Sequence, residues 1–344
     1  MNQPLVSVCL PNRNTLPYLQ ERIDTIFDQT YKNWELIVSD NFSEDGAWAF
    51  FEGIARNDRR VSIEQAPREG MYANWNNCIR RARGKYIYIA TSDDTMAPDS
   101  LEKLVAALEE YPECDLAHCR LRLIDELGRE LDNWHSRGGV FALSSGKLSE
   151  ISHRRMAPFD GLLHLSGGTV YTSITQLLIR RELFARIGLF ESRWGSVADF
   201  NWDMRAGLVA NTVHVPDTWG GWRIHKGQAT SQVDQCSVEH ERRIQEMIDH
   251  AIQATKSLMA QATFERLVSN WSTSALRLRH FLYGIRERHD SKVARRLFIL
   301  QELLRGEFAA SSHVCAKAAN RPIWPEAVRE WMLQIGVKTP LVPL

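Results

Sequence analysis

YIYIATSDDT, residues 86–95, joins an apolar run to a small polar turn that ends in two adjacent carboxylates, Asp93 and Asp94. Five aromatic and apolar residues bounded by turn formers read as a buried strand. Adjacent carboxylates repel, so a pair at the end of a buried strand asks for a positive partner. A hard divalent cation is one answer, since Mg²⁺ or Mn²⁺ binds through one or two carboxylates and takes phosphate oxygens besides. A solvated turn whose carboxylates cap the next element is the plainer alternative.

Upstream of this stretch, strand and helix patterns alternate. LVSVCL (5–10) is a short apolar strand. Leu19, Ile23, Ile26 and Phe27 follow at helical spacing, with Pro17 suited to a first helical turn. WELIV (34–38) is a second strand, and Ser43 is placed to cap a helix that buries Ala47, Phe50, Phe51 and Ile54. VSIE (61–64) is a third strand, followed by a helix with Trp75, Ile79 and Ala82 that ends near Gly84. Downstream, Asp99 and Glu102 form a capping box for a helix burying Leu101, Leu104, Val105 and Leu108, and DLAHCRLRLI (115–124) is another strand. The alternation predicts an α/β fold: a Rossmann-like, mostly parallel sheet flanked by helices. Residues 1–125 form its first half and 126–235 a second half. Residues 236–344 read as a helical C-terminal region with an apolar stripe at Ile244, Met247, Ile248 and Ala251.

Composition narrows the classes. The 344 residues carry 42 basic and 42 acidic side chains, and this balance points away from nucleic acid. No apolar run approaches the ~20 residues of a membrane span. MNQPLVSVCLP lacks the features of a signal peptide, and none of the six cysteines forms a CxxC pair, so a reducing cytoplasm is expected.

Ligands of open parallel sheets bind beyond the carboxyl ends of the strands. Polar residues gather at three such ends, in PNRN (11–14), SDNFS (39–43) and TSDD (91–94). GxGxxG and Walker A motifs are absent, so no Gly-rich loop is available for the phosphates of a bound nucleotide. NFSEDGAWAFFE (41–52) has some spacing of a calcium loop, but it follows a strand and begins with Asn.

These blocks together resemble the family 2 glycosyltransferases, inverting enzymes of the GT-A fold. The resemblance runs from VSVCLPNRN (6–14) through QTYKNWELIVSDNFSEDG (29–46) and NWNNCIRRARGKYIYIATSDD (74–94). It continues through IRRELFARIGLFE (179–191) and ADFNWDMRAG (198–207) to WRIHKGQATSQ (222–232). Many relatives have Asp-x-Asp-Asp where this chain has Thr91-Ser92-Asp93-Asp94, and Glu-Asp where it has Ala198-Asp199. The resemblance implies a nucleoside diphosphate sugar donor, with a uridine diphosphate sugar as first expectation, and a carbohydrate or lipid-linked acceptor. It implies nucleotide contacts from Pro11, Asn12, Arg13, Asp40, Asn74, Ser92 and Asp93, with Asp40 on the nucleobase. Asp93 and Asp94 would hold Mn²⁺ or Mg²⁺, and Asp199 would be the general base.

Several residues keep two readings. His225 is a further metal ligand, a phosphate donor or a hydrogen-bonded loop residue, and Arg223 and Lys226 beside it could steady phosphate. Asp203, one helical turn after Asp199, is the base in a shifted register or a partner of Arg205. Trp202 and Trp222 could stack on acceptor sugars or pack in the core. SGGT (166–169) is a close backbone approach or a plain turn. The arginines and lysine of 277–305 could rest on anionic lipid or form a solvated face. Of the rival functions, a sugar-phosphate nucleotidyltransferase would need a Gly-rich basic loop after the first strand, which PNRNTLPYL lacks. A non-catalytic relative that binds a sugar nucleotide or a partner is the other alternative.

Overall fold

In the computed structural model, residues 3–131, 148–165, 169–228, 238–270, 291–293, 297, 332–333 and 340–344 are described. Strands β1 (Val6–Asn12) and β2 (Trp34–Asp40) are buried along their whole length. Their near-continuous apolar character fits strands covered on both faces. They pair in parallel from Val6↔Trp34 to Asn12↔Asp40, and this register sets Asn12 beside Asp40 at the carboxyl ends. β3 (Val61–Gln65) lies outside β2, and β4 (Tyr86–Ile89) lies on the other side of β1, both parallel.

The remaining described strands are β5 (Thr95–Met96), β6 (Cys114–Ile124), β7 (His153–Arg155), β8 (Leu177–Arg180), β9 (Asn211–Arg223) and β10 (Leu341–Pro343). They complete a ten-stranded sheet in the order β10-β7-β9-β6-β8-β4-β1-β2-β3, with β5 pairing β9. β1 to β4 form a parallel set, as expected. Beyond β4 the sheet is mixed: β8 is antiparallel to both β4 and β6, while β9 runs parallel to β6. The long pairing of β6 with β9 brings Arg223 to Ile124, at the same edge as the end of β4.

Helices α1 (Leu16–Phe27), α2 (Ala47–Asn57) and α4 (Ser100–Glu110) contribute to an apolar core with one face of the sheet. Helices α3 (Met71–Arg81), α5 (Phe159–Leu165), α6 (Arg181–Ile187), α7 (Ala198–Val209) and α8 (Val238–Ala254) build the second core, joined by α9 (Gln261–Asn270). α5 and α7 cross at Gly161 and Gly207. A Cβ on Gly161 would lie 2.5 Å from the Leu208 nitrogen, so the two backbones touch only because both positions lack one.

Beneath α5 the sheet buries a polar cluster. Arg155 Nε donates to Asp160 Oδ1 at 2.6 Å, with both side chains almost wholly buried. The Tyr171 hydroxyl donates to Asp160 Oδ2 at 2.7 Å and meets Thr212 Oγ1 at 2.8 Å. His153 Nε2 lies 3.0 Å from Arg155 Nη1, and His118 Nδ1 lies 3.1 Å from His214 Nδ1. Burial works to raise the Asp160 pKa, but the Arg155 charge and hydrogen bond outweigh it, and the carboxyl stays below its ordinary range. Burial, then the Arg155 charge, pushes His153 down to about 4 and His118 and His214 well below the usual imidazole value. The imidazoles are therefore neutral at physiological pH and Arg155 and Asp160 carry the charge.

Some local expectations do not hold. Asp99 precedes α4 without a side-chain cap bond: it accepts from Thr218 Oγ1 at 2.7 Å and pairs with Lys103 at 2.9 Å. Glu102 accepts from Thr30 Oγ1 at 2.6 Å. α2 starts after Gly46, whose φ is 95°, and Ser43 is engaged elsewhere. Described parts of 236–344 pack on the rest of the protein. Ile244, Met247 and Ile248 of α8 share the core of α7, and β10 pairs antiparallel with β7. Of the basic segment 277–305, only 291–293 and 297 fall among the described residues. Residues 166–168 of SGGT lie outside them. No helix among the described residues is long and apolar enough to cross a membrane.

Asp160→Leu should lower the unfolding free energy by about 3–5 kcal/mol, because it strands a buried guanidinium. The Arg155→Met/Asp160→Leu double variant should recover most of that loss in urea unfolding. Additive single losses would contradict a coupled pair.

Candidate active site

Three loops meet beyond the ends of β1, β2 and β4. Asp40 is fully buried and accepts three hydrogen bonds: from Asn12 Nδ2 at 2.7 Å, Ser43 Oγ at 2.6 Å and the Ser43 N–H at 2.8 Å. Ser43 Oγ also accepts from the Asn14 N–H at 2.9 Å. Asn74 Nδ2 donates to the carbonyls of Asn12 and Ser39 at 3.2 and 2.9 Å, tying α3 to both strand ends. Pro11 is buried within β1, and Arg13 is exposed on the rim. Pro11, Asn12, Asp40 and Asn74 are thus brought together, with Asp40 holding the loop through bonds within the protein.

Asp45 and Arg68 were not singled out by the sequence. Asp45 accepts from the Leu16 N–H at 2.8 Å and the Ala47 N–H at 3.1 Å, and so serves the first turns of both α1 and α2. Arg68 Nε donates to the Asn41 carbonyl at 3.1 Å and its Nη2 to Phe42 and Glu44. The bond of Asp45 to Leu16 and those of Arg68 reach segments distant in the chain, which no local pattern marks.

The turn after β4 is fastened to the end of β9. Asp94 accepts from the Arg223 N–H at 2.9 Å and from the Thr91 hydroxyl. Thr91, which stands where many relatives have Asp, therefore orients the second carboxylate. Burial and then the Asp93 charge push the Asp94 pKa up to about 7. His225 Nε2 donates to Asp93 Oδ2 at 3.0 Å, while the Gly227 N–H faces Nδ1 at 3.3 Å, an arrangement for a proton on Nε2. The hydrogen bond to Asp93 raises the His225 pKa, against the effect of burial. Tyr18 packs on the imidazole with ring centroids 5.1 Å apart. Ser92 is buried in the same turn.

Asp93, Asp94 and His225 are adjacent, and two carboxylates with an imidazole are donors of a type that suits Mn²⁺ or Mg²⁺. Among the described residues no group of three or more His, Cys, Asp or Glu side chains is placed to hold a metal ion. A cation here would displace the Asp93–His225 hydrogen bond and draw its remaining ligands from water or a diphosphate. Arg223 has its guanidinium engaged within the protein. Its side chain is 1% exposed, and its nitrogens donate to the carbonyls of Asp93 (2.6 Å), Asp125 (3.0 Å) and Glu126 (3.2 Å) and to Glu21 Oε2 (2.5 Å). Lys226 is exposed.

Asp199 stands in the first turn of α7, half-buried, and its Oδ1 accepts from the Phe200 N–H at 2.8 Å. Burial raises its pKa, and the Tyr72 hydroxyl opposes that rise. The same hydroxyl donates to the Ser196 carbonyl at 3.1 Å. Tyr72 and Asn74 both belong to the first turns of α3, so one short segment touches the ends of β1 and β2 and the Asp199 carboxylate. Asp203 is buried a turn later, and its Oδ1 has no hydrogen-bond partner. Arg205 does not pair with it: the guanidinium donates to Asn201 Oδ1 at 3.2 Å and to the carbonyls of Ile187 and Leu189. Burial and then the Asp199 charge push the Asp203 pKa well above the ordinary carboxyl value.

Trp202 is corrected from acceptor contact to core. It is fully buried, stacks on Phe184 at 5.0 Å and donates its indole N–H to the Gly188 carbonyl at 3.1 Å. Trp222 is half-buried on β9, beside the turn that carries the carboxylates.

The profile of the family described as Glycosyl transferase family 2 matches residues 7–188. EpsE of Bacillus subtilis, which bears a glycosyltransferase name, is 35% identical over 127 residues, 36% of this chain and 46% of that protein. The chain spans about half the length of the curated relatives it matches first. Among solved structures, Staphylococcus aureus TarS 1–349 in complex with UDP-GlcNAc superposes with a TM-score of 0.55 at 14% identity, over 96% of this chain and 92% of that one. The mannosyltransferase PcManGT of Pyrobaculum calidifontis, in complex with GDP-Man and Mn²⁺, gives a TM-score of 0.53 at 17% identity, over 96% and 88%. These two likenesses show the fold.

Asp203→Asn should stabilise the protein increasingly as pH rises above about 4, read as the difference in urea midpoint from wild type. With its folded pKa raised, Asp203 holds a proton that the unfolded chain releases near pH 4. Wild type therefore loses stability as pH rises toward the folded value, and Asn does not. A pH-independent difference would contradict a buried, proton-holding Asp203.

Proposed function

Because the chain belongs to glycosyl transferase family 2, we propose that it transfers a sugar from a nucleoside diphosphate sugar to an acceptor hydroxyl, with inversion at the anomeric carbon. A uridine diphosphate sugar is the first donor to test. The reading is carried by α3, whose first turns join the nucleotide loops through Asn74 and Asp199 through Tyr72. A nucleotide pocket and a candidate base fixed by one helix suit a reaction in which donor and acceptor must align.

In this reading the loops at Pro11–Arg13 and Asp40–Ser43 receive the nucleoside, and Asp40 orders them. Asp93 and Asp94, with His225, would hold Mn²⁺ or Mg²⁺, which when bound supplies positive charge to the departing diphosphate. Asp199 takes the proton from the acceptor hydroxyl as that oxygen attacks. Its raised pKa brings it nearer the working pH than an ordinary carboxylate, which favours a general base. Asp203 stays neutral behind it, so Asp199 carries the charge. Trp222 is the aromatic face available to an acceptor sugar. A carbohydrate or lipid-linked acceptor, in surface polysaccharide or glycoconjugate synthesis, is the class proposed.

The test is turnover and nucleotide binding with a panel of UDP-sugars and GDP-mannose in the presence of Mn²⁺. Asp199→Asn should lose about 10²–10⁴-fold in turnover while keeping UDP affinity. Asp93→Asn/Asp94→Asn should lose the Mn²⁺-dependent part of UDP binding by calorimetry. Nucleotide binding without turnover in wild type would instead identify a sugar-nucleotide-binding protein.

A further inference from the structure

The chain approaches Asp199 irregularly. It arrives through Ser192–Val197, a 3₁₀ segment that bends at Gly195, where φ is 66° and ψ −139°. Regular helical bonding does not run through such a bend, so the first turn of α7 depends on partners outside its own helix. Tyr72 supplies one by donating to the Ser196 carbonyl. His250 supplies another from α8, a helix beyond the residues 7–188 that the family profile matches.

Both ring nitrogens of His250 have a partner. Nε2 lies 3.2 Å from Glu191 Oε1, and Nδ1 lies 3.3 Å from Asn201 Nδ2. The ring packs on Trp194 with centroids 5.5 Å apart. Asn201 is fully buried, and its Nδ2 also donates to the Met247 carbonyl of α8 at 3.0 Å. Its Oδ1 accepts from Arg205 Nε at 3.2 Å, and Arg205 in turn donates to the carbonyls of Ile187 and Leu189. Glu191 follows two residues later, its second oxygen accepting from Arg193 at 2.7 Å. The contacts thus close a ring through Glu191, His250, Asn201, Arg205 and the Leu189 backbone. Asn76 of α3 ties Phe190 into it with bonds of 2.7 and 3.1 Å.

The amide N–H facing Nδ1 needs a lone pair there, which places the proton of the neutral ring on Nε2, toward the carboxylate. Burial, joined by the Arg193 and Arg205 charges, lowers the His250 pKa against the pull of Glu191. The neutral ring that both contacts require is therefore the form present at physiological pH.

We propose that His250 is a positioning residue for Asp199: by bridging Glu191 and Asn201 it closes the ring that fixes residues 192–197 and the first turn of α7, and so holds the Asp199 carboxylate in line for the acceptor hydroxyl. The second half of this statement rests on the reading of Asp199 as the general base. His250 acts through Asn201, two residues from Asp199, and not on substrate. Small errors in the placement of a base are costly in rate and cost nothing in nucleotide affinity.

Two measurements on the full chain test this. The first is hydrogen exchange by mass spectrometry without ligand. In His250→Ala, amides of 190–201 should exchange about threefold to tenfold faster than in wild type, while those of β1 and β2 keep their rates. Unchanged exchange at 190–201, or an equal rise in β1 and β2, would overturn the bridging role. The second uses the UDP-sugar or GDP-mannose that wild type turns over in the presence of Mn²⁺. His250→Ala should lower kcat about 10-fold to 10²-fold with donor KM and UDP affinity unchanged. His250→Gln, whose amide offers one acceptor and one donor as the neutral ring does, should recover most of that loss. Faster exchange at 190–201 with unchanged kcat, or equal losses in kcat and UDP affinity, would overturn the positioning role. If His250→Ala fails to fold, Glu191→Gln carries both comparisons with smaller effects of the same sign, since it keeps the imidazole and weakens one of its contacts. No turnover by wild type with any donor would overturn the base reading of Asp199 and the positioning role with it, and exchange would still decide the bridge.

Discussion

Arg223 is the constraint on which the site depends. Its guanidinium, shut away from solvent, gathers the carbonyls of Asp93, Asp125 and Glu126 and the carboxylate of Glu21, and its own N–H holds Asp94. The turn after β4, the end of β6, helix α1 and the last residue of β9 are thereby fixed to one another. Charge-assisted bonds of this kind are strong, and a buried cation with most donors satisfied permits little alternative geometry. The direction in which Asp93 and Asp94 point follows from this knot. In turn, the close crossing of α5 and α7 at paired glycines sets where Asp199 stands relative to α3.

The parallel half of the sheet was legible because its strands are buried on both faces and read as apolar runs with polar residues at their carboxyl ends. The carboxylate turn and the helical spacing of Asp199 and Asp203 were legible for the same local reasons. What escaped notice depends on partners remote in sequence. Asp99 and Glu102 have the spacing of a capping box, yet Thr218 and Thr30 offer them better hydrogen bonds. Ser43 precedes a helix but is drawn to Asp40. Trp202 has the chemistry of a sugar platform, but the ring lies under Phe184 and Phe190. Tyr72 gave no signal, since its importance comes from a residue more than a hundred positions away.

The protein handles its buried charges in three ways. Arg155 and Asp160 neutralise each other directly, amid imidazoles that burial keeps uncharged. Asp203 avoids charge by keeping its proton. Arg22 can do neither, because guanidinium does not deprotonate, and it lies against the Tyr88 ring. The first two solutions lie in the half of the molecule that carries Asp199, and the third lies between α1 and β4. A stable core needs none of these charges.

The pairing of β10 with β7 has a consequence for biosynthesis. Residues 341–343 cover a strand edge laid down near position 153, with nearly the whole second half of the sequence translated in between. On the ribosome, the earlier strands can assemble while that edge still presents its open backbone groups to solvent. Until residues 341–343 pair with it, that edge is an unsheathed ribbon, able to recruit a strand from another molecule.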